Sequence, residues 1–292
     1  MKSFLVRTAP ITMVLLFSTG FIGTKLSLFF GEPFTLIFWR CVTAAAFMGA
    51  VSLLMRATWP RDGKTIAFMA LIGILLHGFA LGGSYLAVSH GVSTGIVALV
   101  IGLQPVLTAV FAGPFFGERV TRRQSLGLLL GFAGVALVVS NKFSVGTEAF
   151  YGSVYAFMSL FGITAGTLIQ KRHGASLDMR TGMVIQFTAT AIVMAILATI
   201  FETMAVQWTG KFILVHVWLV FGLSIGAIAL TYLLIRIDPI SKVASLFYLM
   251  PPVVAVMGYF LFGETLNLYG VFGMGVAIIG VALVMRGPNQ HL

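Results

Sequence analysis

Polar residues are sparse along this chain and gather at nearly even intervals. Between them run apolar stretches at roughly 8–29, 34–55, 65–88, 92–115, 122–140, 149–171, 180–201, 212–235, 240–262 and 267–285. A helix of about 20 residues crosses the hydrocarbon core of a bilayer, and these stretches are near that length. The connections are short and hold Arg, Lys, Asp and Gly. None is large enough for a separate soluble domain. The pattern predicts an all-α integral membrane protein with ten transmembrane helices.

Composition agrees. The chain is 59% hydrophobic and 9% charged, with a mean hydropathy of +1.04. A soluble domain of this size needs far more charge to cover its surface. Lys2 and Arg7 precede the first apolar run, as in a signal peptide, but the run continues through TGFIGTKLSLFF without a small-residue cleavage site. It reads as an uncleaved helix. The single cysteine, Cys41, lies in an apolar run and reads as packing rather than chemistry.

A net charge of +10 raises the question of nucleic acid. The placement of the charge answers it. Lys2, Arg7, Arg56, Arg61, Lys64, Arg119, Arg122, Arg123, Lys171, Arg172, Arg180, Arg236, Lys242 and Arg286 all fall on one set of alternate connections or the termini, and only Lys142 and Lys211 on the other. Cytoplasmic loops carry such an excess of Lys and Arg. The expectation is a multi-pass protein of the inner (plasma) membrane with both termini cytoplasmic. Its expected partners are membrane lipids and a small-molecule substrate, not nucleic acid; a homodimer is left open.

The stretch GVALV occurs at Gly134–Val138 and again at Gly280–Val284, 146 residues on, half the length of the chain. The same offset carries Pro105, Ala109, Val110, Phe116, Gly117, Glu118 and Gly127 onto Pro251, Ala255, Val256, Phe262, Gly263, Glu264 and Gly273. Ser18 meets Thr164, Lys25 meets Lys171, Glu32 meets Asp178, Thr35 meets Thr181 and Arg40 meets Gln186. Near Tyr85 and Tyr232 the offset becomes 147. The chain divides into a five-helix repeat over 1–146 and a second over 147–292. Five is odd, so the second copy enters the membrane upside down relative to the first. Inverted repeats of this kind recur in secondary transporters, where related halves open a shared site to one side and then the other.

The repeated pattern is LQPVLTAVFAGPFFGERVTRRQSLGLLLGFAGVALV in the first half and MPPVVAVMGYFLFGETLNLYGVFGMGVAIIGVALV in the second. It resembles the EamA family of the drug/metabolite transporter superfamily over essentially the whole chain. The resemblance implies export of amino acids and other small metabolites, or import in some members. It supplies no universal binding motif, so the candidate site residues rest on their chemistry here.

All eight acidic residues lie in connections or at segment ends. Small multidrug exporters that resemble this chain use a membrane carboxylate for cations, and no such candidate exists here. The ionisable groups within segments are basic instead. Lys25 lies near the outer end of the first segment and Arg40 about two turns into the second. A charge near the bilayer centre costs about 2.5–3.5 kcal/mol on insertion scales, so it usually faces a cavity or a partner. Two readings stand for both residues: contact with a substrate carboxylate, or snorkelling of the long side chain to the outer headgroups. Ser18 shares a helical face with Lys25. Thr164 and Lys171 repeat that spacing, with Lys171 at the cytoplasmic end.

His77 sits mid-segment in GILLHGFALGG. It is read as a proton carrier or substrate contact, or as a neutral imidazole satisfied by a neighbouring helix. Gln104 precedes Pro105, and Met250 precedes Pro251 and Pro252. Proline frees a helical carbonyl, and breaks at matching positions of two halves point to a binding site, or else mark packing kinks. Ser241, Ser245 and Tyr248 lead to the second break on one face. Gln186 and Tyr85 complete the polar candidates. The pairs Gly78/Gly82, Gly127/Gly131 and Gly222/Gly226 read as close helix contacts. Trp39, Trp59, Trp208 and Trp218 read as interfacial anchors.

No phosphate-binding loop, metal-spaced cluster or catalytic acid/base pair is present, so no catalytic residue, metal or cofactor is expected. The substrate-binding candidates are therefore Ser18, Lys25, Arg40, His77, Gln104, Thr164, Gln186, Ser245 and Tyr248. Pro105, Pro251 and Pro252 are expected to break helices. The expected function is export of an amino acid or related carboxylate by alternating access, with uptake of an organic anion or phosphate ester as the second reading. A membrane enzyme would need catalytic groups clustered at one interface. A channel or scaffold would lack saturable flux.

Overall fold

Apolar stretches punctuated by Pro, Gly and acidic residues fold into helices, and the punctuation marks the helix ends. The computed structural model describes residues 2–108, 111, 122–143, 147–173, 178–227, 230, 249–265 and 268–285. In chain order these form α1 (Lys2–Ser27), α2 (Pro33–Leu54), α3 (Gly63–Gly73), π1 (Ile74–Phe79), α4 (Ala80–Ser89), α5 (Thr94–Ile101), α6 (Arg122–Phe143) and α7 (Thr147–His173). α8 (Met179–Phe201), α9 (Gly210–Val217), π2 (Trp218–Ala227), α10 (Met250–Phe262) and α11 (Leu268–Met285) follow. The segments π1 and π2 are π-helical turns within otherwise α-helical rods. No strand occurs among the described residues; a lone bridge joins Gly31 and Val206.

Among the described residues five helices are long and apolar enough to cross a membrane: Pro33–Leu54, Gly63–Ser89, Phe150–Arg172, Met179–Phe201 and Gly210–Ala227. Ile11–Ser27, Thr94–Thr108, Ser125–Leu137, Met250–Phe262 and Leu268–Gly280 are shorter apolar helices. Where the ten expected segments are described, they lie mainly in these helices.

The acidic residues stand at the ends for a physical reason. The first N–H groups of a helix have no internal partner, and the helix dipole favours negative charge there. Asp62 accepts from the backbone N–H of Lys64 and Thr65 at the start of α3. Asp178 accepts from that of Arg180 at the start of α8. The Thr65 hydroxyl and backbone bonds hold the Asp62 carboxyl below its ordinary range. The Arg180 side chain does the same for Asp178. Glu202 caps α2 from a distance in sequence, accepting from the N–H groups of Phe34 and Thr35 at 2.7 Å each. Glu264 caps α5 through Thr94, whose hydroxyl donates at 2.8 Å. Gly263, left-handed at φ +65°, ends α10 and delivers that carboxylate.

The described helices gather into two units. One comprises Met1–Ile22, His90–Val154 and Gly226–Leu292; the other comprises Gly23–Ser89 and Tyr155–Ile225. Each therefore draws on both sequence halves. In the first unit α6 packs antiparallel on α11. A Cβ at Gly134 would lie 2.5 Å from the Gly273 carbonyl oxygen, and one at Gly280 would lie 2.6 Å from that of Gly127. The 146-residue offset converts one of these contacts into the other. The repeated GVALV glycine is thus used twice in one reciprocal crossing.

In the second unit α2 packs along α8, and α3 crosses α8 where Gly73 abuts the backbone of Gln186. Gly83 abuts the Tyr155 carbonyl and Ser159, and Gly162 abuts Phe79 and Ala80. Two glycine expectations need correction. A Cβ at Gly78 would meet Met194 only in ordinary contact at 3.5 Å, and at Gly82 nothing described lies within 4 Å. A Cβ at Gly222 would meet Trp218 of its own helix. The π turns explain the shift: i→i+5 bonding changes the angular phase, so even four-residue spacing no longer identifies the buried face.

Gly134→Ala and Gly280→Ala should each destabilise the protein by about 1–3 kcal/mol, because backbone stands where the methyl would go. Gly49→Ala, with nothing described within 4 Å of its Cβ, should not. Thermal unfolding in detergent checks this; equal midpoints for all three would refute the crossing.

Candidate functional site

α2 starts on Pro33, whose missing N–H costs nothing at a helix start, and on the Glu202 cap. Its buried face runs through Leu36, Ile37, Arg40, Cys41, Ala44 and Met48. Arg40 therefore lies on the stripe that packs inward, and it is 7% exposed. Its guanidinium donates from Nε and Nη2 to the Ser224 hydroxyl at 3.3 and 3.1 Å. Ser224 is fourteen residues beyond the start of α9 at Gly210. At about 1.5 Å per residue, that is roughly 20 Å from that helix end. The charge is directed well away from the helix end at Gly210.

The π turn prepares the acceptor. Ser224 donates its own proton to the Leu219 carbonyl, five residues back, at 3.2 Å. Its lone pairs are left for Arg40. A guanidinium has five N–H donors. Among the described residues Ser224 is its only hydrogen-bond acceptor, and no Asp or Glu forms an ion pair with it. The result is a buried cation held by a neutral oxygen.

Two imidazoles lie within electrostatic reach of Arg40. His216 on α9 is buried, with Nε2 3.0 Å from the Thr43 hydroxyl. Thr43 donates its proton to the Trp39 carbonyl at 2.9 Å, so the ring donates from Nε2. An aromatic group adjoins it, with Trp39 edge-on to Trp208 at 5.3 Å and Trp208 edge-on to Phe212 at 5.2 Å. His77 on π1 stacks on Phe187 at 4.4 Å. Phe187 is the chain neighbour of Gln186, so the same turn of α8 carries both. The Gln186 amide donates to the Met69 sulfur at 3.9 Å. Among the described residues the cluster carries one fixed positive charge and no carboxylate, a composition suited to an anion.

The structure brings Arg40, His77 and Gln186 together within the second unit. Lys25 lies half-buried in the last turn of α1. Ser18 is fully buried, and its hydroxyl has no hydrogen-bond partner among the described residues. Thr164 donates to the Leu160 carbonyl of its own helix at 2.7 Å. The Tyr85 oxygen accepts from Ser27. α5 is interrupted at Gly102 and Leu103, directly before Gln104 and Pro105. Pro251 and Pro252 open α10 after Leu249, and Gly102 packs against Pro251. Ser241, Ser245 and Tyr248 lie outside the described residues. Sequence reasoning missed Ser224, His216, Thr43 and Phe187. The duplication held a signal for one of them, since Ser224 is 147 residues beyond His77.

Residues 8–140 and 150–286 each match the EamA-like transporter family. The chain belongs to that family and is a multi-pass membrane transporter. The transporter YvbV of Bacillus subtilis is 29% identical over 236 residues, covering 80% of this chain and 73% of its own. The inner membrane transporter YedA of Escherichia coli K12 is 26% identical over 246 residues, covering 84% and 79%. A protein of Streptantibioticus cattleyicolor named "Probable terminal-alkyne amino-acid exporter" is 27% identical over 217 residues, covering 67% and 65%. A crystal structure with 18% identity covers 95% of each chain at a TM-score of 0.66, a likeness of fold.

Ser224→Ala removes the acceptor of a buried charged donor, and the expected loss is about 1.5–3 kcal/mol. Ser224→Thr keeps the hydroxyl and should lose less. Unfolding midpoints of the two variants measure this; an unperturbed alanine variant would mean that the hydroxyl does not hold Arg40.

Proposed function

We propose that this protein is a secondary transporter of the inner membrane that exports an amino acid or related carboxylate by alternating access. Its ten helices form two five-helix repeats inserted in opposite senses, with both termini in the cytoplasm. The distribution of Lys and Arg supports that topology. The antiparallel, reciprocal crossing of α6 and α11 supports the inversion, because a two-fold relation between halves makes such a contact its own image.

The observation that carries the substrate class is the Arg40–Ser224 contact. A guanidinium matches a carboxylate in a two-pronged geometry, and the pairing is strong where water is excluded. A buried charge with a neutral acceptor gains most from an anion that arrives and leaves. The name of the Streptantibioticus relative supports an amino acid over other carboxylates. Uptake of a phosphate ester is the second reading, because the same fork fits phosphate oxygens equally well.

Proteoliposome counterflow with labelled L-leucine, L-glutamate, isocaproate and glucose 6-phosphate tests the assignment. Saturable exchange of a carboxylate is expected, with Arg40→Gln reducing it by about tenfold or more. Exchange confined to the phosphate ester selects the second reading. Flux of permanent cations alone refutes both. Accumulation in cells with and without the protein then fixes the direction.

A further inference from the structure

One contact in this protein is made twice with different chemistry. Arg40 on α2 has Gln186 on α8 as its counterpart 146 residues on. His77 on π1 has Ser224 on π2 as its counterpart 147 residues on, and Met69 on α3 likewise has His216 on α9. Arg40 bonds Ser224 and lies in electrostatic reach of His216. Gln186 donates to the Met69 sulfur at 3.9 Å, and its chain neighbour Phe187 stacks on His77. The second helix of each half thus meets the π-bearing helix of the other half through matching positions. In one contact the long side chain is a guanidinium facing a hydroxyl and an imidazole. In the other it is a carboxamide facing a thioether, with an imidazole stacked on the adjacent Phe187.

The wall beside each contact differs as well. Phe187, next to Gln186, stacks on His77, whereas its counterpart next to Arg40 is the small Cys41. One position is cationic, and the other is neutral and aromatic-walled. A carboxylate placed at the second would lose its water without gaining a cation, which is costly. An apolar or weakly polar group there would gain contact with Phe187 and Met69. Among the described residues the Gln186 amide donates to a thioether, which is a weak acceptor.

We propose that Gln186 determines specificity: the substrate is held at both repeated positions, its single carboxylate at Arg40 and Ser224 and its uncharged remainder at Gln186, His77 and Phe187. The carboxamide, standing where the other half has a guanidinium, restricts the carrier to substrates with one carboxylate. This rests on the carboxylate reading of Arg40 given above.

The test is a flux ratio in proteoliposomes. L-leucine and isocaproate carry one carboxylate; L-glutamate and adipate carry two. The wild type is expected to favour the first pair. Gln186→Arg supplies a second cation and should raise the ratio of dicarboxylate to monocarboxylate flux by about tenfold or more. Gln186→Lys gives a second reading of the same effect if the arginine variant does not fold. The exchanged variant, Arg40→Gln with Gln186→Arg, keeps one cation and should return the preference to monocarboxylates. An unchanged ratio in the folded Gln186 variants overturns the assignment, as does a wild type that carries adipate as readily as isocaproate. If Arg40→Gln carries all four probes like the wild type, or the wild type carries none, the carboxylate reading beneath it fails and takes this inference with it. That outcome is separate from an unchanged Gln186 ratio, which removes Gln186 alone.

Discussion

A guanidinium buried between two apolar helices must be compensated, and among the described residues the compensation is a single hydroxyl. Removing Arg40 from water costs several kcal/mol even when it is partly satisfied. A carboxylate partner would cancel the charge and leave nothing for a ligand. Ser224 instead supplies an oxygen without charge, and the π turn directs it by tying its proton to Leu219. Among the described acids, Asp62, Asp178, Glu202 and Glu264 are committed to helix starts. Glu202 illustrates the economy: it caps the helix that carries Arg40, yet it acts from that helix's end.

The positions of these groups depend on how closely the helices approach. Small residues set that distance, and in the α6–α11 crossing the same small residue does so from both sides. A contact that is its own repeat image needs the same residue on each helix, so a duplicated sequence satisfies it at once. The second unit is less symmetric. Its repeated contact joins matching helices with different residues, guanidinium and hydroxyl in one case, carboxamide and thioether in the other.

Much of this was legible in the sequence. Long apolar runs, sparse charge and basic residues on alternate connections specify helices in a membrane, because hydropathy and charge act additively over many residues. The duplication was legible because it is a matter of identity at a fixed offset. Arg40 stood out since charge is rare within spans. What remained open was where its head group goes, and that depends on which face of α2 packs inward. The π turns were not legible: nothing in ILLHGF or WLVFGLSIGA distinguishes them from α-helix. The close contacts fall at Gly73 and Gly83, on either side of π1, and not at Gly78 and Gly82. Ser224 was hidden for a related reason, since a serine in an apolar run commonly bonds its own backbone and attracts no notice. Thr164 shows the converse, a promising polar residue whose proton goes to its own helix.

The central claim is that Arg40 recognises a carboxylate. The most direct measurement compares the affinity of the purified protein for L-leucine with that for leucinamide, which differs only in replacing the carboxylate with a carboxamide. A charge-assisted pair predicts a preference for the acid of about tenfold or more, and predicts that Arg40→Gln abolishes it. Equal affinity of the wild type for both, or a preference that survives in the folded glutamine variant, would contradict the account.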